Sequence, residues 1–178
     1  MKILKFKKLS STQEKAKELI KENKNNSSWI VIFSKEQIKG KGRKGNKWYS
    51  PEGGLYFSII LPPFKIKKLE NLTILTAYII AKKLKDNFNL EPLIKLPNDI
   101  LIKGRKICGI LTENTILGER VASSIIGVGI NTNLESFPKE LKNKATSLKI
   151  ETKKEVDNDK LLREIVTELK KEFLAYGF

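Results

Sequence analysis

The stretch DILIKGRKICGILTENTILGERVASSIIGVGI, residues 99–130, decides the fold. Its apolar segments are rich in β-branched side chains, which is typical of strands: residues 100–102, 106–112 and 121–130. The connections between them are short and contain a glycine, at Lys103-Gly104 and near Leu117-Gly118, and such connections favour hairpins. Because a hairpin joins antiparallel strands, this stretch predicts consecutive antiparallel pairing.

Shorter apolar runs outside this stretch predict further strands, at residues 3–6, 29–33, 55–61 and 93–96. Apolar residues at helical spacing predict helices over residues 12–22, 69–87 and 159–175. Ser11 and Glu14 have the spacing of a capping box before the first helix, and Gly177 follows the last one as a C-cap. Residues 34–54 and 131–155 are predicted to be polar loops. Strands in hairpins with separate helices predict an α+β fold, with a mixed, mostly antiparallel sheet and helices packed on it.

Composition excludes several classes of protein. The chain has 178 residues, no histidine and one cysteine, Cys108. These counts exclude Ser-His-Asp and Cys-His catalysis, a histidine-ligated zinc site and an internal disulfide. No apolar run approaches the roughly 18 residues of a membrane span, and the first ten residues lack the apolar stretch of a signal peptide. We therefore expect a cytoplasmic, single-domain protein over residues 1–178, with Cys108 as a small buried apolar residue.

The charge is strongly positive: 35 Lys and Arg against 20 Asp and Glu give a net +15. Only four of these cations are arginine, and the lysines are scattered through almost every segment. Lysine suits a solvated surface, whereas bidentate recognition of bases and phosphates favours arginine. A basic nucleic-acid-binding module therefore stays an alternative, and attraction to an acidic partner remains open.

The loop Gly40–Gly45, GKGRKG, matches G-x-G-x-x-G in letters only. No helix is predicted behind it, as a dinucleotide fingerprint requires, and Asn46 follows where a Walker A loop needs Gly-Lys-Ser/Thr. Alternating glycines and cations would suit an anion, and Trp48 with Tyr49 offers flat faces to a ring. A solvated basic surface loop is the alternative.

Two more features point to a ligand or to local structure. Lys95 ends a strand just before the turn at Pro97-Asn98, and strand ends position side chains rigidly. Gly127 and Gly129 weaken a strong strand, so they indicate either a bulge or the close approach of a ligand or another backbone.

Taken in order, these segments resemble the motifs of the biotin–protein ligases. The matching segments are Ser11-Thr12, Gln37, GKGRKGNKWYSPEGGLYFS (40–58), KLPNDILIKGRKICGILTE (95–113) and IGVGINTN (126–133). The usual forms are S-T-N, Q-x-x-G-R-G-R-x-G-R-x-W-x-S-P, K-W-P-N-D with G-R-K-x-x-G-I-L-x-E, and I-G-x-G-I-N-x-N. The match has no gaps inside each block and reaches nearly to the final helix.

The resemblance implies the catalytic fold shared with class II aminoacyl-tRNA synthetases and an ATP-dependent, AMP-forming ligase. Such enzymes join biotin to ATP, forming biotinyl-5′-AMP and pyrophosphate, with Mg²⁺ accompanying ATP. They then transfer the biotinyl group to a lysine of a biotin carboxyl carrier protein, such as that of acetyl-CoA carboxylase. No metal ligands are assigned.

The resemblance also implies roles for individual residues. Those expected to bind biotin are Ser11, Thr12, Gln13, Gln37, Lys41, Gly42, Arg43, Lys95, Gly109 and Gly129. Those expected to bind the nucleotide are Arg43, Trp48, Lys95, Gly127 and Asn131. Lys95, as a bridge between the biotin carboxylate and the α-phosphate, and Arg43 are expected to be catalytic.

The chain departs from the usual motifs at four positions. Lys41 and Asn46 stand where arginine is usual, Leu96 replaces tryptophan and Gln13 replaces asparagine. We expect a catalytic domain only, without an N-terminal helix-turn-helix or a complete C-terminal β-barrel, and therefore no specific DNA binding. A homodimer is open by analogy with relatives. A lipoate–protein ligase or octanoyltransferase of the same fold class is the nearest alternative.

Overall fold

The computed structural model describes residues 1–22, 28–65, 69 and 71–177. In this part of the chain, eight strands form one sheet: β1 (Lys2–Leu9), β2 (Ile30–Gln37), β3 (Leu55–Leu61), β4 (Phe64–Lys65), β5 (Pro92–Lys95), β6 (Asp99–Ile102), β7 (Arg105–Leu117) and β8 (Arg120–Ile130). Their order is β1-β2-β3-β8-β7-β6-β5, and β4 pairs with β8. Among these pairs β1–β2 is parallel and the others are antiparallel. The predicted α+β fold with a mixed sheet is confirmed.

The hairpins predicted within residues 99–130 are confirmed. At the β6–β7 turn, Lys103 and Gly104 both adopt positive φ, 50° and 76°, which is the backbone shape that a two-residue hairpin turn requires. Gly118 has φ of 59° at the β7–β8 turn. The strand β4, which is two residues long, was not predicted.

The described helices are α1 (Thr12–Glu22), α2 (Leu72–Phe88), α3 (Leu148–Thr152) and α4 (Asn158–Ala175). The prediction for α2 began at residue 69; residue 70 lies outside the described part of the chain. Helix α3 lies in a segment predicted to be a loop, and Ser147 caps it by accepting a hydrogen bond from the N–H of Ile150. Gly177, with φ of 79°, follows α4 as predicted. No helix in the described residues is both long and apolar enough to cross a membrane.

The two faces of the sheet carry different side chains. Helices α2 and α4 cover one face, where the large core contains Phe57, Ile126 and Phe173. Helix α1 covers part of the other face through a small cluster that includes Ala16 and Ile125. Because strand residues alternate between faces, the β8 positions that follow Ile125 on the α1 side are residues 127 and 129. Both are glycines, so β8 presents no side chains at these two positions.

Candidate active site

The pocket that gathers most of the expected site residues lies on the α1 face of the sheet. Gly109 on β7 and Gly127 and Gly129 on β8 form its floor. The strand register is continuous at these positions, so the glycines of β8 do not mark a bulge. A Cβ atom at Gly127 would lie 2.6 Å from Oε1 of Gln13, closer than van der Waals contact allows. The predicted bulge is therefore wrong, and the close approach at these glycines is made by the side chains of Gln13 and Trp48, not by another backbone.

Polar groups at the start of α1 form one wall of the pocket. Oε1 of Gln37 accepts hydrogen bonds from the backbone N–H (2.8 Å) and the hydroxyl (3.1 Å) of Thr12. The hydroxyl of Ser58, which sequence reasoning did not single out, lies 2.8 Å from Oγ1 of Thr12 and 2.9 Å from Oε1 of Gln13. Ser11 caps the helix by accepting from the N–H of Gln13 (3.2 Å). The wall thus places hydroxyl and amide groups beside the glycine floor.

A short hairpin of residues 40–48, called the flap below, borders the pocket. The N–H of Trp48 donates to the carbonyl of Gly40 at 2.9 Å and closes the hairpin. Lys44 and Gly45 form its turn with φ of 55° and 78°. The predicted loop is therefore ordered by its own backbone hydrogen bonds.

The flap places Lys41, Gly42 and Arg43 along the pocket. Nη1 of Arg43 donates to Oδ1 of Asn98 at 2.9 Å. Nζ of Lys41 donates to the carboxylate of Glu14 at 2.5 Å. The Glu14 carboxylate thus pairs with Lys41 of the flap. The predicted capping box gave Glu14 a role only at the start of α1.

Trp48 lies across the glycine floor. A Cβ atom at Gly129 would collide with its indole ring, and one at Gly109 would lie 2.9 Å from its Cζ3 atom. Within the described residues, the indole N–H is buried without a hydrogen-bond partner. A buried unpaired donor costs free energy, so this N–H could bind a ligand's acceptor atom.

Lys106 lines the pocket, and sequence reasoning did not single it out. A register shift after Ile100 creates a β-bulge in the β6–β7 pair. The bulge places the consecutive side chains of Ile107 and Cys108 both in the core. Lys106, which regular alternation from Cys108 would direct to the core, therefore lines the pocket. Its Nζ lies 2.7 Å from Oδ1 of Asp99 and 5.2 Å from the centroid of the Trp48 ring. The G-R-K element of the resemblance contains this lysine and could have indicated it.

The position of Lys95 corrects the expectation placed on it. Lys95 is exposed at the end of the edge strand β5, outside the pocket lining. Strand β6 separates β5 from the floor strands β7 and β8. Lys95 pairs in register with Asp99, whose carboxylate holds Lys106. The lysine that reaches the pocket therefore comes from β7 and not from the end of β5.

A second cavity of about 260 Å³ adjoins the pocket and shares Trp48 and Lys106 with it. The rings of Tyr49 and Phe137 line it, with their centroids 6.3 Å apart. Its other lining residues are Lys47, Asn131, Leu141, Lys144 and Ala145. Aromatic faces beside several ammonium groups suit a planar ring that carries negative charge. Sequence reasoning missed Phe137, Leu141 and Lys144, which follow β8 in an irregular segment.

Asn131 has a structural role in this cavity. It is buried, and its Nδ2 donates to the carbonyl of Thr146 at 2.9 Å. Its backbone carbonyl accepts from the N–H of Leu148 at 2.9 Å. Asn131 therefore fixes the segment that closes the cavity, and a direct contact with a nucleotide remains a prediction.

Cys108 is fully buried beneath the site. Burial raises the pKa of its thiol, and Lys106 opposes this shift only in part. The thiolate, which is the nucleophilic form, is therefore disfavoured. The prediction of a small buried apolar residue is confirmed.

Comparisons with known proteins show the family of the chain. The model of the biotin/lipoate A/B protein ligase family matches residues 5–131. The bifunctional ligase/repressor BirA of Bacillus subtilis is 38% identical over 177 residues, covering 96% of this chain and 54% of that protein. The biotin–[acetyl-CoA-carboxylase] ligase of Paracoccus denitrificans is 31% identical over 111 residues, covering 59% of this chain and 44% of that protein.

The solved structures include a similar protein with ligands bound. The biotin protein ligase of Aquifex aeolicus in complex with biotin and ATP has a TM-score of 0.80 and 31% identity, covering 97% of this chain and 71% of that one. The chain spans about half the length of the Bacillus relative. With its motifs, its fold and a family match over most of its length, the chain belongs to the biotin/lipoate A/B protein ligase family.

Proposed function

We propose that this chain activates biotin with ATP, forming biotinyl-5′-AMP and pyrophosphate, and transfers the biotinyl group to a lysine of a carrier protein. One observation carries the proposal: a glycine-floored pocket and an aromatic, lysine-lined cavity meet at Trp48 and Lys106. A carboxylic acid in the pocket and a nucleotide in the cavity would have their reactive ends at this junction.

The pocket suits biotin because it combines a flat floor with a few polar anchors. Three glycines keep the floor free of β-carbons, and the Trp48 indole and the Gln13 amide that lie against them would shift to admit the fused rings and the acyl chain. Thr12, Gln13 and Gln37 offer hydroxyl and amide groups to the ureido ring. The resemblance to biotin–protein ligases supports this orientation.

The first step joins two anions, so the protein must reduce their repulsion. A biotin carboxylate oxygen attacks the α-phosphorus of ATP, and the bond to the β-phosphate bridging oxygen breaks to release pyrophosphate. We assign Lys106 to the bridge between the carboxylate and the α-phosphate, in place of Lys95. Arg43 on the flap would bind the same phosphate with its bidentate fork. Positioning and electrostatic stabilisation are enough for such a reaction.

The second step needs only a nucleophilic amine. The neutral ε-amine of a carrier lysine attacks the acyl carbon of the adenylate, and the amide bond forms. AMP leaves with the electron pair of the bond between the acyl carbon and the phosphate oxygen, and the proton that the amine nitrogen loses passes to water. The flap would keep water from this reactive anhydride until the carrier arrives. Trp48 and Asn131 would help to hold the adenosine.

Magnesium would enter with the nucleotide. The described residues contain no group of three or more Asp, Glu, Cys or His side chains that could hold a metal ion. Mg²⁺ commonly binds through substrate phosphates and water, with only one or two protein carboxylates. The residues of this chain therefore fit a magnesium ion that arrives bound to ATP. Action in the cytoplasm, with or without homodimer formation, remains a prediction.

One experiment tests the function directly. The chain is incubated with MgATP, biotin and a biotin carboxyl carrier domain, and the mass of the carrier is measured. We expect a gain of one biotinyl group that requires both ATP and biotin. A parallel reaction replaces biotin with lipoate. Preferential transfer of lipoate, or no biotin-dependent release of pyrophosphate, would refute the assignment.

A further inference from the structure

The two cations that the flap brings to the pocket have different partners. Nζ of Lys41 donates to the carboxylate of Glu14, whereas Arg43 donates to the neutral amide of Asn98. A carboxylate neutralises an ammonium group, but an amide leaves the guanidinium charge uncompensated. The two cations are therefore not equally available to a bound anion.

Glu14 belongs to a chain of alternating charges that runs away from the pocket. Lys17, one turn further along α1, lies 3.4 Å from Glu14 and 2.8 Å from Glu113 on β7. The hydrogen bond from Lys41 holds the pKa of Glu14 below its ordinary value, although partial burial opposes this. Glu14 is thus ionised at neutral pH and connects the flap to helix α1.

We propose that Glu14 is a positioning residue that latches the flap closed through Lys41, while Arg43 remains free to exchange Asn98 for a phosphate. The latch rests on contacts within the chain itself, whereas the role of Arg43 rests on the proposed function. Lys41 therefore holds the flap by pairing with Glu14, which requires one positive charge and not the bidentate fork of an arginine.

The size of the effect follows from the exposure of the pair. The side chains of Lys41 and Glu14 are 46% and 37% exposed. Partly exposed ion pairs usually change an equilibrium by a factor of about two to five, and salt weakens them. The latch should therefore bias the flap toward closure without locking it.

The first test uses the ligand-free protein. Arg43 is exposed, but trypsin needs an extended backbone, so cleavage after Arg43 requires the hairpin to leave its closed conformation. Mass spectrometry measures the initial rate of this one cleavage. We expect Glu14→Gln to raise the rate about twofold to fivefold, and 1 M salt to bring the wild-type protein close to the variant. Glu18→Gln is the matched control, because Glu18 pairs with Lys15 on the same helix. The control should cut at the wild-type rate.

Charge reversal separates a latch from a general effect on the helix. Glu14→Lys should open the flap more than Glu14→Gln, because it repels Lys41. Adding Lys41→Glu should bring the rate back toward the wild-type value. The proposal is overturned if Glu14→Gln cuts at the wild-type rate, if Glu18→Gln opens the flap equally, or if the reversed pair gives no recovery.

A second readout concerns the ligand. The release of preformed biotinyl-AMP should be about twofold to fivefold faster from Glu14→Gln than from the wild-type protein, and unchanged in Glu18→Gln. If the wild-type protein forms no adenylate, the proposed function fails while the cleavage result still decides the latch. If adenylate forms and leaves both proteins equally fast, the latch has no role in retaining it.

Discussion

Replacing Lys106 with methionine should slow adenylate formation by a factor of about 10² to 10³ while leaving the fold intact. The substitution keeps an unbranched side chain on β7 but removes the ammonium group that lies 2.7 Å from Asp99 and 5.2 Å from the ring of Trp48. No other described lysine is shared by the pocket and the adjoining cavity. The substitution therefore removes the cation at their junction.

The structure sets the size of both effects. The Lys106 and Asp99 side chains are 32% and 24% exposed, so losing this pair should cost no more than about 1 kcal/mol of unfolding free energy. A group aimed at charge that develops in a transition state contributes about 3–4 kcal/mol, a factor of about 10² to 10³ in rate. Catalysis should therefore fall far more than stability.

The assay is biotin-dependent exchange of pyrophosphate into ATP, with thermal unfolding as the check on the fold. Lys95→Met is the matched control, because Lys95 is exposed on β5 outside the pocket. We expect it to retain activity within about threefold, since surface changes rarely exceed about 0.5 kcal/mol. Near-normal exchange in Lys106→Met, or a hundredfold loss in Lys95→Met, would refute the reassignment of the bridging lysine.

Three further predictions concern the floor, the flap and a buried ion pair. Gly129→Ala should displace Trp48 from the floor and weaken ATP binding about tenfold, because a Cβ atom there collides with the indole ring that is proposed to hold the adenosine. Calorimetry measures the affinity for ATP, and an unchanged value would contradict the role given to the contact between Trp48 and Gly129. Arg43→Ala should release biotinyl-AMP about tenfold faster or more, because the charge-assisted hydrogen bond from the guanidinium to the phosphate is lost. A filter assay follows the adenylate that the protein retains. Retention equal to that of the wild-type protein would show that Arg43 does not bind the phosphate. Burial of the Glu151 side chain, which is only 2% exposed, raises its pKa, but the hydrogen bonds from Thr146 and Lys103 and the charge of Arg105 together outweigh burial and hold the pKa below its ordinary value. Glu151 therefore stabilises the fold above about pH 4.5, and this contribution is lost as the pH falls through the lowered pKa. Glu151→Gln should lower the free energy of unfolding by about 1–3 kcal/mol at pH 7 and by progressively less in acid, as measured by urea unfolding. An equal loss at pH 3 and pH 7 would show that the charge of Glu151 does not contribute to stability.

The exposed apolar side chains near the site do not change this assignment. Leu96, which replaces the tryptophan usual in the family, is 68% exposed at the turn between β5 and β6. Single exposed apolar residues are normal on protein surfaces, and nothing in the described contacts gives Leu96 a role in the pocket.

The sequence by itself determined the strands, the hairpins and the family. Periodicity and turn residues are local properties, so residues 99–130 predicted β6, β7 and β8 with their connections. The motifs also identified the glycine floor, the flap and the polar residues at the start of α1. These features depend on residue type and short spacing, which a sequence displays directly.

Only the tertiary structure decided which lysine reaches the pocket. The bulge beside Ile107 reverses the alternation that would have turned Lys106 toward the core, and the strand order leaves Lys95 at the edge. The pairing of Glu14 with Lys41 joins residues 27 positions apart. Side-chain direction after a bulge and contact between distant segments depend on how strands and loops pack, so no local pattern in the chain could specify them.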